Sequence, residues 1–82
     1  MEYTYHTDPG HGWVEVPLSE LHRLKLTPSP YSYKKGQLAY LEEDCDASAW
    51  TAAKRAAGEP FQLTIQHTDH DHPIRNFARF GG

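Results

Sequence analysis

Basic charge, paired cysteines and long apolar stretches are what this chain has least of. Eight lysines and arginines face eleven aspartates and glutamates, a formal net charge of −3. That balance withholds the basic face that direct nucleic-acid binding needs. The single cysteine, Cys45, allows neither an internal disulfide nor a cysteine pair for zinc. No apolar run approaches the core of a signal peptide or the length of a membrane span, and no low-complexity stretch interrupts the chain. These absences lead us to expect a soluble protein of a reducing cytoplasm with no membrane association. Length is limited too. With 82 residues there is room for one small domain, which buries only about 60–65% of the surface of its unfolded chain. A thin interior disfavours a deep catalytic pocket and leaves surface as the main resource.

Aromatic rings are plentiful by contrast. Two tryptophans, five tyrosines and three phenylalanines are too much apolar ring for a chain that stays unfolded. Alternation of aromatic residues over Glu2–His6 predicts a strand, Asp8-Pro9-Gly10-His11-Gly12 a turn, and Trp13–Val16 a returning strand. Pro17 suits a helix start, and Leu18, Leu21 and Leu24 follow at helical spacing up to Thr27-Pro28-Ser29-Pro30. A second hairpin is expected from Tyr31-Ser32-Tyr33 through a Lys35-Gly36 turn into Gln37–Leu41. An alanine-rich helix over 47–57, capped by Asp46 or Ser48 and closed by Gly58, comes next. Phe61–His67 alternates as a last strand, and Ile74, Phe77 and Phe80 give the tail something to pack. The order ββαββαβ implies an α+β domain over 1–82: a small antiparallel sheet of about five strands with two helices on one face.

The densest polar cluster is HTDHDHP, His67 to Pro73, and HTD recurs at His6-Thr7-Asp8. Imidazole and carboxylate suit zinc and similar divalent metals. If the strands ending at His6 and His67 are neighbours, His67, Asp69, His70 and His72 could gather with His6 and His11, the set a metal-dependent hydrolase or nuclease would use. The spacing fits no rigid-element ligand pattern, and Asp and His are ordinary loop residues, so a solvated loop without a cofactor is the preferred reading. H-x-H-x-D-H hydrolases differ at Asp69 and need a far longer chain. HNH-type nucleases need a ligand-bearing helix after the D-H-D-H run, and only ten residues follow His72. Cys45 precedes a helix, but Glu42, Glu43, Asp44 and Asp46 around it disfavour a thiolate, so it is expected to be structural and buried. Four acids in five residues exceed what a helix start requires, and they form a candidate patch for a partner's basic residues. Tyr31, Tyr33 and Tyr40 beside Lys34 and Lys35 resemble a base-stacking hairpin, although cross-strand pairing explains such tyrosines more simply.

Taken together, YHTDPGHGW at 5–13, PYSYKKG at 30–36, YLEEDCD at 40–46 and HTD…PIRNF at 67–77 resemble a family of short uncharacterised proteins encoded by bacteriophages, prophages and plasmids. The resemblance spans nearly the whole chain and implies a setting, the cytoplasm of a bacterial host. Short accessory proteins of such elements often block a host enzyme or defence complex, as anti-CRISPR proteins do. The expectation is therefore a non-catalytic protein that binds and inhibits a host protein, with Glu42, Glu43, Asp44 and Asp46 as the acidic patch and Tyr31 and Tyr33 as exposed anchors. The alternatives are the metal-dependent hydrolase and a structural or dimerising protein joined through its tail and sheet edge, since the sequence leaves oligomeric state open.

Overall fold

The computed structural model describes residues 1–80. Strands β1 (Glu2–Thr7), β2 (Gly12–Pro17), β3 (Tyr33–Lys35), β4 (Leu38–Glu42), β5 (Gln62–His67) and β6 (Ala78–Arg79) join helices α1 (Leu18–Arg23) and α2 (Asp46–Ala56) and a 3-10 turn at Pro73–Asn76. The domain is α+β, as the element order implies. Its one sheet has the spatial order β5-β1-β2-β4-β3-β6.

The first hairpin forms where turn chemistry places it; the second forms later than expected, with Lys35 inside β3, the turn at Gly36-Gln37, and Tyr31 and Ser32 outside the strand. Gly12 opens β2 because a Cβ there would run into the Tyr5 ring across the strand pair, and Gly36 takes φ +60° in the tight turn between β3 and β4. The sheet departs from the expected all-antiparallel arrangement at one edge. β5 runs parallel to β1, with Tyr3 beside Leu63 and Tyr5 beside Ile65. The cause is the connection: α2 carries the chain back along the sheet from β4, across β2 and β1, so the next strand must point the same way as β4. At the other edge the tail adds β6 to β3, pairing Tyr33 with Arg79 and Lys34 with Ala78.

Strand alternation splits the core in two. On one face Tyr3, Val14, Val16, Ala39 and Leu41 meet Leu21 of α1 and Ala47 and Trp50 of α2, so both helices lie on that face. The opposite face has no α-helix among the described residues: Trp13, Tyr33, Tyr40 and Ile74 of the 3-10 turn pack there, with Leu38 and Phe77 at the margin. The tail thus covers what the helices do not. Lys34 and Lys35 lie over the rings of Phe80 and Phe77 at 5.4 and 4.8 Å. Tyr33 and Tyr40 are buried beneath the tail, and of the three expected stacking rings only Tyr31 is exposed.

One polar assembly lies inside the helix-side core. Lys54, with no solvent exposure, donates to Tyr3 Oη (2.9 Å), Glu20 Oε1 (3.0 Å) and Glu59 Oε1 (2.9 Å). Glu20 also accepts from Tyr3 Oη (2.6 Å) and Trp50 Nε1 (2.9 Å), and Arg23 clamps Glu59 with two hydrogen bonds. Burial pulls the Lys54 ammonium toward neutrality, but its bonds to Tyr3, Glu59 and Glu20 outweigh this and hold its pKa above the ordinary value. Arg23 and Lys54 together pull the Glu59 carboxyl down to about 2. The network ties both helices, the first strand and the loop after α2 to one buried charge.

Candidate functional site

The parallel register of β1 and β5 places Thr7 beside His67, so both HTD segments leave the sheet at the same end and their loops do meet. What joins them is an ion pair. Asp8, almost fully buried, accepts from the backbone N–H of Gly10 (3.0 Å), His11 (2.9 Å) and His72 (3.0 Å). It also receives Arg75 Nε at 2.7 Å and Nη2 at 2.9 Å. Arg75 is the first cause of its depressed pKa; burial opposes, and the three backbone donors add to the depression. One carboxylate therefore fixes the first turn, the second loop and the tail.

The histidines around this joint have partners of their own. His6 Nε2 lies 3.0 Å from Glu15 Oε1, and His67 Nδ1 lies 2.7 Å from Thr7 Oγ1. His72 Nδ1 accepts the N–H of Ile74 at 3.1 Å, capping the 3-10 turn. Burial and the nearby His6 push the His72 pKa down, so its ring is neutral near pH 7. His70, exposed, has only a 3.5 Å approach to Thr68, and exposed Asp69 lies 3.3 Å from His67 Nε2. Among the described residues, the one set of three ligand atoms within 4.8 Å of one another is His11, Glu42 and Glu43, which takes only His11 from the expected metal set and joins it to the acidic run. With His67 and His72 so engaged, zinc added to chelator-stripped protein is expected to give no rise in Tm that His67→Ala with His70→Ala removes. A saturable rise at one zinc per chain, abolished by that pair of changes, would restore the hydrolase reading.

The residues expected to bind a partner separate into two groups. Glu42 and Tyr31 line one cleft on the helix-free face, about 170 Å³, together with His11, Trp13, Tyr33, Arg75 and Arg79. Arg75 lies over Trp13 and Arg79 over Tyr33, each at 5.4 Å. Tyr31 is 66% exposed, held at the rim by a backbone bond to Ser29 Oγ. Glu43 lies beside the cleft, 3.7 Å from His11, and Asp44 is exposed.

Three expectations need correction. Tyr33 is buried at 7% exposure, because the tail adds a strand against β3 and closes over its ring; it is a wall of the cleft and no exposed anchor. Asp46 faces inward: its carboxylate accepts from Ser29 N and Oγ and from Ser32 Oγ, while Ser32 Oγ accepts from Glu42 N. It therefore fastens the loop before β3 to the start of α2 and caps nothing; Cys45 is the N-cap and α2 has no side-chain cap. Cys45 itself is exposed, since the helix turns Ala47 and Trp50 toward the core.

Sequence reading missed two features here, the Asp8–Arg75 joint and the contribution of Arg75 and Arg79 to the cleft. The tail's own sequence carries no signal for the second: its two arginines read as solvated, and the rings they lie over, Trp13 and Tyr33, come from β2 and β3. No helix is long and apolar enough to cross a membrane among the described residues. No family model, no curated protein and no solved structure matches the chain.

Proposed function

We propose that this protein is a small non-catalytic binding protein that covers a basic surface of a partner, with the cleft between Tyr31 and Glu42 as the contact. The observation that carries the reading is that an exposed aromatic ring and a carboxylate share one open cleft, with Glu43 close to its His11. A lysine or arginine side chain entering there stacks on Tyr31 and pairs with Glu42, the geometry in which a charge contact and a ring act together. Arg75 is committed to Asp8. Arg79 keeps its charge over the Tyr33 ring, so a partner's basic group is drawn to the Glu42 side of the cleft and away from Arg79.

In the setting that the resemblance implies, the partner is a bacterial host protein such as a defence nuclease complex, and covering its basic surface inhibits it in the manner of an anti-CRISPR protein. Inhibition of this kind is steric and electrostatic and uses no cofactor. The test compares immobilised wild type with Tyr31→Ala and with Glu42→Lys/Asp44→Lys in capture from a bacterial lysate, followed by titration of the purified partner. Each variant is expected to weaken binding about 30-fold or more, the loss of one central anchor. Asp46 is left intact because its loss would loosen the loop. A partner bound equally by all three proteins would refute the assignment of this cleft.

A further inference from the structure

The edge strand β5 has an unusual surface. All six of its residues are exposed, Leu63 at 43% and Ile65 at 67%. Edge strands are ordinarily blunted by lysine, proline, a bulge or a covering loop. Over Gln62–Gln66 there is no charge, proline or glycine, and among the described residues no element lies outside β5 in the sheet. The opposite edge, by contrast, is closed by the short tail strand β6.

The sequence of β5 also says what fits against it. Gln62-Leu63-Thr64-Ile65-Gln66 reads the same chemically in both directions about Thr64. We propose that a second copy of this chain pairs with β5 antiparallel, across a two-fold axis at Thr64, joining two sheets into one. In that register Leu63 faces Ile65 of the other copy, Gln62 faces Gln66, and Thr64 faces Thr64. No like charges meet.

The backbone is in phase with this register. Gln62 N–H donates to Met1 and Thr68 N–H to Thr7, so even-numbered residues of β5 bond inward to β1. The N–H and C=O groups of Leu63 and Ile65 therefore point outward. Facing each other in the proposed pair, they exchange hydrogen bonds, while Thr64 forms the close, non-bonded pair on the axis.

The side chains agree with the backbone. Leu63 and Ile65 stand beside Tyr3 and Tyr5 on the helix face, and Leu63 borders a groove of about 340 Å³ between β5 and α2 whose lining includes Val14, Ala47 and Ala52 as well as Glu43 and Arg55. A two-fold perpendicular to the sheet keeps both helix faces on the same side. The four Leu63 and Ile65 side chains then form one apolar strip between the two α2 helices. A single strand pair and this strip are smaller than a standard interface, which places the dimer in the weak, roughly micromolar class. The cleft of Tyr31 and Glu42 stays free on the opposite face.

Light scattering after size exclusion, run from about 5 to 500 µM, tests the pairing. The expected result is a mass rising from one chain to two, and Ile65→Lys holding the protein at one chain with an unchanged circular dichroism spectrum. Register is tested in a Cys45→Ala background. Thr64→Cys is expected to crosslink to dimer on mild oxidation, because facing side chains on the axis lie about 5 Å apart, whereas Gln62→Cys is not. A single-chain mass throughout the range would overturn the proposal. So would a dimer indifferent to Ile65→Lys, or crosslinking through Gln62→Cys in preference to Thr64→Cys.

Discussion

Replacement of Lys54 by alanine is expected to destabilise the protein by about 3–5 kcal/mol, the cost of breaking a buried pair from one side. The ammonium is fully buried and satisfies Glu20, Glu59 and Tyr3 at once. Without it, Glu20 remains charged in the core with Tyr3 and Trp50 as its buried donors. For a domain this small that loss lowers Tm by about 15 °C or more. The four-carbon stem packs as well, so Lys54→Met separates packing from charge: its shortfall relative to Lys54→Ala measures the stem. Urea titration followed by tryptophan fluorescence gives both values, provided the slope is unchanged. A loss below about 1 kcal/mol would mean that Lys54 behaves as a solvated surface charge and that the network is not formed.

The second large effect is expected at Asp8. Asp8→Ala strands the part-buried N–H groups of Gly10, His11 and His72 and frees Arg75, and a loss of about 3 kcal/mol follows from removing the shared acceptor and one side of the ion pair. The change should also be local in character: hydrogen exchange at His11 and His72 should accelerate beyond the global rate increase, because both loops lose their common anchor.

Acid should act on the same joint. Asp8, Glu20 and Glu59 all have folded pKa values below their ordinary ones. Their contribution is therefore complete above the unfolded values near 4 and is lost as pH falls through the folded ones, down to about 2 for Glu59. His72 works in the same direction at higher pH. Its folded pKa lies below 6.5, so the unfolded chain takes up that proton first and stability begins to fall below pH 6.5. Two-stage acid destabilisation is expected in wild type, with the second stage shallower in Asp8→Asn. A single transition below pH 4, with no loss beginning below pH 6.5, would contradict the lowered pKa of the half-buried His72.

Much of this architecture was legible because local patterns determined it. The alternation of Tyr3 and Tyr5 and the Asp8-Pro9-Gly10 turn defined the first hairpin, and Gly36 placed the second turn, though Lys35 belongs to the strand before it. The partner of β5 was not legible, since a two-residue period states which residues share a face and says nothing about the neighbouring strand. Lys54 escaped notice for a different reason. Ala47, Trp50 and Lys54 form a stripe at helical spacing, and that stripe is the buried face, but a lysine is ordinarily assigned to water. Only the three-dimensional convergence of Glu20, Glu59 and Tyr3 makes its burial tolerable. In the cleft, the sequence treated Tyr31 and Tyr33 alike, and only the added strand β6 buries one and leaves the other exposed; the inward turn of Asp46 depended on serines in another loop.

The parallel pairing of β1 with β5 also orders events in time. Thr4 pairs with Thr64, so β1 leaves the ribosome well before the strand it pairs with and waits for it. The meander of β1, β2, β4 and β3 can assemble earlier from nearer contacts, but α2 and its buried lysine lock only when β1 and the loop carrying Glu59 are both in place. Such long-range closure slows folding toward the millisecond-to-second range. Through that interval Tyr3 and Tyr5 stand uncovered on an open strand, which makes crowded synthesis, rather than the finished protein, the stage most exposed to aggregation.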